Sequence, residues 1–445
     1  MNLPLSLEQE SFFGPDPVES PNVGLVYRLH GSLDLDLLQT AISLLLRRHE
    51  GLRIRISADT QAPTQRIAGS DDVILQPLKA NPGALWERID EIHRIPLNLS
   101  DEGPIRFRVQ RLAPDSHILS TTIHPAALDA WGGGILARDL WALYEGLSSG
   151  RGPRLDDLPV SFSDHVRKQN AAGSHLTSAQ RDYYLSQLRD LESTTLPWQA
   201  SGERAALFAH EEFVLDGATM RRISQVARDT MVTTAAIFLA GFQMALGLAS
   251  GAEAGGLSCI YFGREDAAAL GMATAMARRV PLRYEMAPAT RIGDFVRQAM
   301  QGWAASVGRS GPPYSSARLL SAAGGPLGVF EPVFNLRVRQ PAAEEEATNG
   351  DSPGDGDALW AEWMQSPSRR PVPMWSQFGS SALFALITMD HAPVITAIYD
   401  RREIAASTAR TIFNAYEMVM HTIADGDMRQ TIAKLRAPAI TEFQR

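Results

Sequence analysis

His124-Pro125-Ala126-Ala127-Leu128-Asp129-Ala130-Trp131, followed by Gly132-Gly133-Gly134, is the stretch on which the reading of this 445-residue chain turns. The run before it, His117 to Ile123, is rich in β-branched residues and predicts a strand entering the interior. After it, Leu136, Leu140, Leu143 and Tyr144 share one side of a helix predicted from about Ile135 to Glu145. A strand, a turn of small residues and a helix N-terminus set backbone N–H groups and the helix dipole where a developing negative charge is met. An imidazole, a carboxylate and an indole lie close together in this turn. The segment reads either as a functional site or as a place where His124 and Asp129 satisfy buried polar groups.

Outward from that turn the chain alternates helix and strand. Leu37, Leu38, Ala41, Ile42, Leu45 and Leu46 recur at helical spacing, with Asp34 or Asp36 as cap and Gly51 as stop. Arg53 to Ser57 alternates polar and apolar as a half-exposed strand does, and Ile105 to Val109 predicts another strand. Leu147 to Gly152 and Gly173 to Ser178 read as surface connections. Beyond them, Thr219 to Arg228 and Thr233 to Leu248 predict consecutive helices. Leu257 to Phe262, Val280 to Tyr284, Phe334 to Val338 and Leu383 to Met389 predict strands, and Ala406 to Thr422 a helix. Gln340 to Asp357 is acidic, glycine-rich and poor in large apolar residues, and is expected to be a mobile surface loop.

The bulk numbers bound the function. A chain of this length exceeds what one hydrophobic core usually organises, so two lobes are expected. Hydrophobic residues make up 44% and charged residues 21%, as in an ordinary soluble globular protein. The net charge is -8 and no Lys/Arg cluster marks a basic face, which argues against nucleic acid as a partner. The single cysteine, Cys259, excludes a disulfide framework and a multi-cysteine zinc site, and fits a reducing, cytoplasmic setting. The N-terminus does not read as a signal peptide. The longest apolar stretch, Ala235 to Leu248, is shorter than the roughly 20 residues a membrane span needs, and it is read as a buried core helix. Phosphate-loop, nucleophile-elbow and His-Glu-x-x-His signatures are missing.

The segment from His124 resembles the His-His-x-x-x-Asp-Gly core of condensation domains of non-ribosomal peptide synthetases, in the chloramphenicol acetyltransferase-like superfamily. His124 takes the first histidine, Pro125 the second, Asp129 the aspartate and Ala130 the glycine. The rest of the chain carries further matches in order. Leu5-Ser6-Leu7-Glu8-Gln9 with Phe12 resembles the family's opening motif. Arg48-His49-Glu50-Gly51-Leu52-Arg53 is similar to its Arg-His-Glu-x-Leu-Arg segment, and Gly103-Pro104-Ile105-Arg106 to its Gly-Pro-Leu-x-Arg stretch. Gly263-Arg264, Met276 to Arg283, Pro313-Tyr314 and Pro332-Val333-Phe334-Asn335-Leu336 continue the pattern, with Arg278 and Arg279 replacing an Asn-Thr pair.

The resemblance implies an α/β fold of two chloramphenicol acetyltransferase-like lobes in a V with a central tunnel, the N-terminal lobe spanning 1–175 and the C-terminal lobe 176–445. It implies condensation-type acyl transfer, forming an amide or ester between a carrier-bound acyl thioester and an acceptor in non-ribosomal peptide or hybrid polyketide biosynthesis. The partners are then acyl or peptidyl carrier proteins and a small-molecule or carrier-bound acceptor, with no nucleic acid and no membrane, and the chain is expected to be a monomer. No cofactor is bound, because the phosphopantetheine thioester arrives activated on its carrier. The motif implies a site of His124, Pro125, Asp129, Ala130, Trp131 and Gly132, with an ion pair between Asp129 and Arg283 that orients the turn. Pro125 is the main departure. The family credits the second histidine with proton handling or with positioning the nucleophile, and a proline ring neither accepts nor donates a proton. General-base help is worth about 10²–10⁴-fold. Three readings stay open: acyl transfer with His124 or another tunnel residue substituting or with positioning alone, a catalytically degenerate domain that binds carriers or recruits a tailoring enzyme, and altered chemistry on a tethered intermediate. The heterocyclising Asp-x-x-x-x-Asp subtype is not supported, since His124 stands at its first aspartate. Whether the chain is free-standing or part of a synthetase is left open.

Overall fold

The computed structural model describes residues 2–13, 22–57, 63–171, 177–188, 208–309, 332–338, 360–364, 383–389, 392–401 and 404–436. The loop expected from Gln340 to Asp357 and the Pro313-Tyr314 pair lie outside them. The chain divides into two compact units. One holds Met1–His175, Phe262–Arg278 and Gln340–Gly379, and the other Leu176–Tyr261, Arg279–Arg339 and Ser380–Arg445. The expected division at 175 placed all that follows in the second lobe, whereas 262–278 and 340–379 group with the N-terminal residues.

In the first unit β1 (Leu3–Pro4) leads into α1 (Leu7–Phe13), β2 (Val23–His30) and α2 (Leu35–Arg48). The cap of α2 is Asp34, whose carboxylate accepts from the N–H groups of Asp36 and Leu37. Leu38, Ala41, Ile42, Leu45 and Leu46 form the buried stripe of this helix, spaced as one helical face requires. Each large apolar member contributes about 1.5–3 kcal/mol by burial, so a charge at Leu38 or Ile42 unseats the helix. After β3 (Ile54–Ser57), β4 (Thr64–Ile67), β5 (Gln76–Pro77) and α3 (Leu85–Arg94) comes the hairpin of β6 (Ile105–Ala113) and β7 (Ser116–Ile123). Its register sets Ile105 opposite Ile123 and Phe107 opposite Thr121. The unit continues with α4 (Ala130–Ser148) and α5 (Phe162–Ala171). β3 is more deeply buried than its alternating pattern predicts, because Arg55 folds back to donate to Asp101 O at 3.1 Å and Ile54 O at 3.2 Å.

The second unit contains α6 (Ser178–Leu188), β8 (Phe208–Val214), α7 (Gly217–Thr230), α8 (Thr234–Ser250), β9 (Ala254–Tyr261), β10 (Arg278–Glu285), α9 (Ile292–Gly308) and β11 (Val333–Val338). β12 (Trp360–Met364) belongs to the first unit's sheet, where it pairs antiparallel with β2. β13 (Leu383–Met389), β14 (Val394–Asp400) and α10 (Ala406–Ala424) complete the second unit. The first unit's main sheet runs β12-β2-β7-β6-β5, beside a small β1-β4-β3 sheet, and the second unit's runs β10-β9-β11-β13-β14-β8. Inside the latter, β11 is parallel to both β9 and β13, while β14 is antiparallel to β13 and β8. The apolar run read as a core helix is α8. Ala236 through Leu248 are all buried in it, and Tyr416 of α10 donates to its Phe238 carbonyl at 2.8 Å. No single described helix is long and apolar enough to cross a membrane.

Candidate functional site at the turn after β7

The helix expected from Ile135 begins earlier, at Ala130, so the motif itself starts α4 and Asp129 is its cap. The Asp129 carboxylate is buried and accepts from five donors. Oδ1 takes Gly132 N at 2.7 Å and Arg264 Nη2 at 3.0 Å, and Oδ2 takes Arg264 Nη1 at 2.8 Å, Met276 N at 2.8 Å and Ala277 N at 2.9 Å. Both members of the ion pair are almost wholly shielded, with side chains 0% and 3% exposed, so solvent does not screen it. The partner is therefore Arg264 and not the expected Arg283. Arg283 lies on β10, 3.6 Å from Glu285. A planar guanidinium one residue beyond a sharp turn reaches both carboxylate oxygens at once, which is the bidentate geometry an arginine supplies.

Glycines make this fastening possible. Gly263 has φ +70, and a Cβ there would overlap the Met276 carbonyl. A Cβ on Gly132 would meet Leu128 Cδ1 at 2.7 Å and Thr274 O at 2.8 Å. The irregular segment from 272 to 277, just before β10, thus runs hard against the start of α4. Arg264 Nη2 also donates to Thr274 O at 2.8 Å.

His124 follows β7 directly, its N–H donated to Pro104 O at 2.8 Å. Its Nδ1 accepts from Ala126 N at 3.1 Å. The ring lies against Phe12 (5.8 Å, edge-on) and Phe13 (6.1 Å, stacked) of α1. Burial pushes its pKa down to about 4. With Nδ1 occupied as an acceptor, the neutral ring carries its proton on Nε2. Freeing an Nε2 lone pair would put a second N–H against Ala126 N–H. The expectation that His124 supplies the missing base therefore meets two obstacles, tautomer and weak basicity. Pro125, at the position of the family's second histidine, is buried. Ala130 begins the helix. Trp131 donates from Nε1 to Leu270 O at 3.1 Å, its ring 5.5 Å from that of Phe262.

Behind the turn, α4 also carries Asp139, a fully buried carboxylate. It accepts from His49 Nε2 at 2.8 Å, Arg48 Nε at 2.9 Å and Arg138 Nε at 2.8 Å. Burial alone would raise its pKa, but the His49 and Arg138 hydrogen bonds outweigh that and hold it low. Burial lowers the pKa of His49, against the pull of Asp139. The other His49 nitrogen accepts from Ala273 N at 3.3 Å, in the same segment whose Met276 and Ala277 N–H groups bond Asp129. The sequence singled out Arg48-His49-Glu50 only as a match, and nothing in its spacing disclosed Asp139 as the partner. Likewise Gly263-Arg264 was legible as a pair, but its arginine's target was not. Among the described residues no group of three or more His, Cys, Asp or Glu side chains is placed to hold a metal ion.

The condensation-domain family model matches residues 18–355, well over half of the chain. The chain belongs to the condensation-domain family. This condensation domain is 26% identical over 326 residues to the phosphinothricin tripeptide synthetase PhsB of Streptomyces viridochromogenes, an alignment covering 70% of the chain. It spans only 27% of that synthetase and 2 to 12% of other curated relatives. Among solved structures it resembles the X-domain of teicoplanin biosynthesis in complex with OxyB, with TM-score 0.78 and 19% identity, covering 98% of this chain and 95% of that one. It also resembles the first condensation domain of the calcium-dependent antibiotic synthetase, with TM-score 0.75 and 16% identity, covering 98% of each. The condensation domain thus has the chloramphenicol acetyltransferase-like α/β fold of its family.

Proposed function

We propose that this condensation domain joins a carrier-tethered acyl thioester to an amine acceptor, with the turn after β7 acting as a positioning element and no side chain acting as base. The carrying observation is the combination of a complete Asp129–Arg264 clamp with Pro125 at the base position. In this reaction the acceptor nitrogen attacks the thioester carbonyl, the C–N bond forms, and the C–S bond breaks with release of the carrier thiol. The ammonium proton passes to the departing thiolate or to water. A neutral amine attacks without prior deprotonation, so proximity and orientation supply most of the acceleration. An alcohol needs its proton removed as it attacks, and here loses about 10²–10⁴-fold. Amide formation is favoured over ester formation on that ground. The phosphopantetheine thioester is substrate, held by its carrier.

A second reading has its own support. A rigid turn that lacks a base equally suits a domain that binds a loaded carrier and recruits another enzyme, and the likeness to an X-domain solved with OxyB points that way. Intact mass spectrometry of a loaded carrier protein, incubated with an amine acceptor with and without this chain, separates the two. Loss of the acyl group from the carrier that depends on this chain, with the amide as product, supports transfer. A carrier that binds but stays loaded overturns it in favour of recruitment.

A further inference from the structure

The segment from 272 to 277 bonds Asp129 although it is irregular and no strand ladder holds it. Met272 to Met276 are all buried, and a buried backbone N–H left without an acceptor destabilises the fold. The acceptors therefore define what fixes the segment. Met272 N donates to Ala269 O at 3.2 Å and Thr274 N to Met272 O at 3.1 Å, both within the neighbouring chain. Met276 N and Ala277 N donate to Asp129 Oδ2. Ala273 N reaches outward to a different element, donating to His49 Nδ1 at 3.3 Å.

His49 is itself held rigidly. It closes α2 with its N–H on Leu45 O at 2.9 Å, and its carbonyl accepts from Leu52 N at 3.1 Å. Its side chain is 1% exposed, with Nε2 2.8 Å from Asp139, the carboxylate that Arg48 and Arg138 also bond. A carboxylate facing Nε2 keeps the ring proton there and leaves Nδ1 bare as an acceptor. The turn after His49 lies directly on the segment, since a Cβ on Gly51 would meet Thr274 Oγ1 at 2.9 Å. The contacts close a circuit: Asp139 in the body of α4 orients His49, His49 holds Ala273, and the segment bonds Asp129 at the cap of the same helix.

We propose that His49 is a positioning residue for acyl transfer, fixing the turn after β7 through its Nδ1 bond to Ala273, while its Nε2 bond to Asp139 orients the ring. The proposal rests on the transfer reading above. Without the Nδ1 acceptor the Ala273 N–H is buried and unpaired, and the segment shifts to satisfy it. The Met276 and Ala277 N–H groups move with the segment, and the Asp129 carboxylate they bond moves too. In a site that works by orientation, a displacement of about 1 Å costs up to about a hundredfold in rate. Such a loss falls on kcat more than on KM.

Two amide side chains separate the two ring nitrogens. Asparagine presents an amide oxygen where Nδ1 stands, and glutamine an amide NH2 where Nε2 stands. His49→Asn thus keeps an acceptor for Ala273, and His49→Gln keeps a donor for Asp139. Each variant of the full chain is compared with wild type by hydrogen exchange of the 270–278 peptide, with the α3 peptide as reference, and by the kinetics of transfer from a loaded carrier to an amine. In His49→Gln the 270–278 peptide is expected to exchange about tenfold faster with α3 unchanged, and kcat to fall about tenfold or more with KM within about twofold. His49→Asn is expected to keep more of both, although loss of the Asp139 bond lowers its melting temperature. Equal losses in the two variants, or wild-type exchange of 270–278 in His49→Gln, overturn the proposal. Should His49→Gln fail to fold, wild-type exchange of 270–278 as fast as that of the largely exposed stretch 151–157 overturns it, and protection that His49→Asn preserves supports it. Wild-type protein that transfers no acyl group overturns the transfer reading and with it the kinetic role of His49, while unequal exchange in the two variants still upholds the fastening.

Discussion

Replacing Asp129 by asparagine tests the clamp at its centre. The change is nearly isosteric, so packing is preserved, but it removes the negative charge opposite Arg264 and turns one acceptor oxygen into a donor. Oδ1 receives two donors and Oδ2 three, so whichever position the new NH2 takes, it faces N–H groups. The Arg264 side chain is 0% exposed and cannot turn to water. Breaking a shielded pair by removing one partner costs about 3–5 kcal/mol, and for a unit of this size that lowers the melting temperature by about 10 °C. Denaturant unfolding and calorimetry of wild type, Asp129→Asn, Arg264→Met and the double variant Asp129→Leu/Arg264→Met measure it. The double variant, which leaves no lone charge, is expected to be less destabilised than the sum of single changes. An Asp129→Asn protein within about 1 kcal/mol of wild type would refute the clamp as a determinant of the turn.

His124→Phe is expected to leave amide transfer within a few-fold of wild type, measured as carrier deacylation, and the pH–rate profile is expected to follow the free-amine fraction of the acceptor and not a protein group near 6 to 7. A drop of a hundredfold in His124→Phe would return the base role to this residue. Acid stability gives a separate check. His93 and His124 are both held near 4 in the folded chain against an ordinary value of 6.5, so the unfolded chain takes up protons first as pH falls. Their contribution is therefore complete above about 6.5 and is lost as pH falls toward 4. Denaturant midpoints between pH 7 and 4.5 should decline less steeply in His124→Phe than in wild type. Gly263→Ala combines a left-handed φ with overlap on Met276 O; it is expected to destabilise by more than about 1 kcal/mol, read from its melting temperature, whereas Gly150→Ala, left-handed but in open space, is expected to cost less.

The sequence was most legible where one pattern governs one element. The stripe of α2, the β-branched run of β7 and the apolar run of α8 were each read from local spacing, and strand β13 coincides with its expected bounds. Elements whose patterns are mixed escaped. β2 interleaves Val23, Leu25 and Tyr27 with Gly24, Arg28 and His30, because one face meets the core and the other meets α3, where a Cβ at Gly24 would collide with His93. α4 starts before the bound its periodicity predicts, since its first turn consists of Ala130, Trp131 and glycines, which carry little helical signal on their own. At the site the motif residues were legible and their partners were not. Arg264 lies 135 positions from Asp129 and Met276 lies 147. A bond across that distance depends on how the irregular segment from 272 to 277 folds back, and no local periodicity encodes it.

A proline has a specific physical effect in this turn. Proline fixes φ near −65° and has no N–H to leave unsatisfied, so at a buried position between His124 and the Asp129 cap it stiffens a backbone already held by Ala127 N–H to His124 O at 2.9 Å. The carboxylate fixes the helix end of the turn through Arg264, and the hydrogen bond from His124 N to Pro104 O fixes the strand end. A turn constrained at both ends and stiff in the middle can hold a bound carbonyl in one orientation, which is the part of catalysis that needs no titrating group. It cannot take a proton from a reluctant nucleophile. On the proposed transfer, the chemistry open to such a site is set by the acceptor: amines, which attack as they stand, remain within reach, while hydroxyl acceptors lose the assistance they depend on.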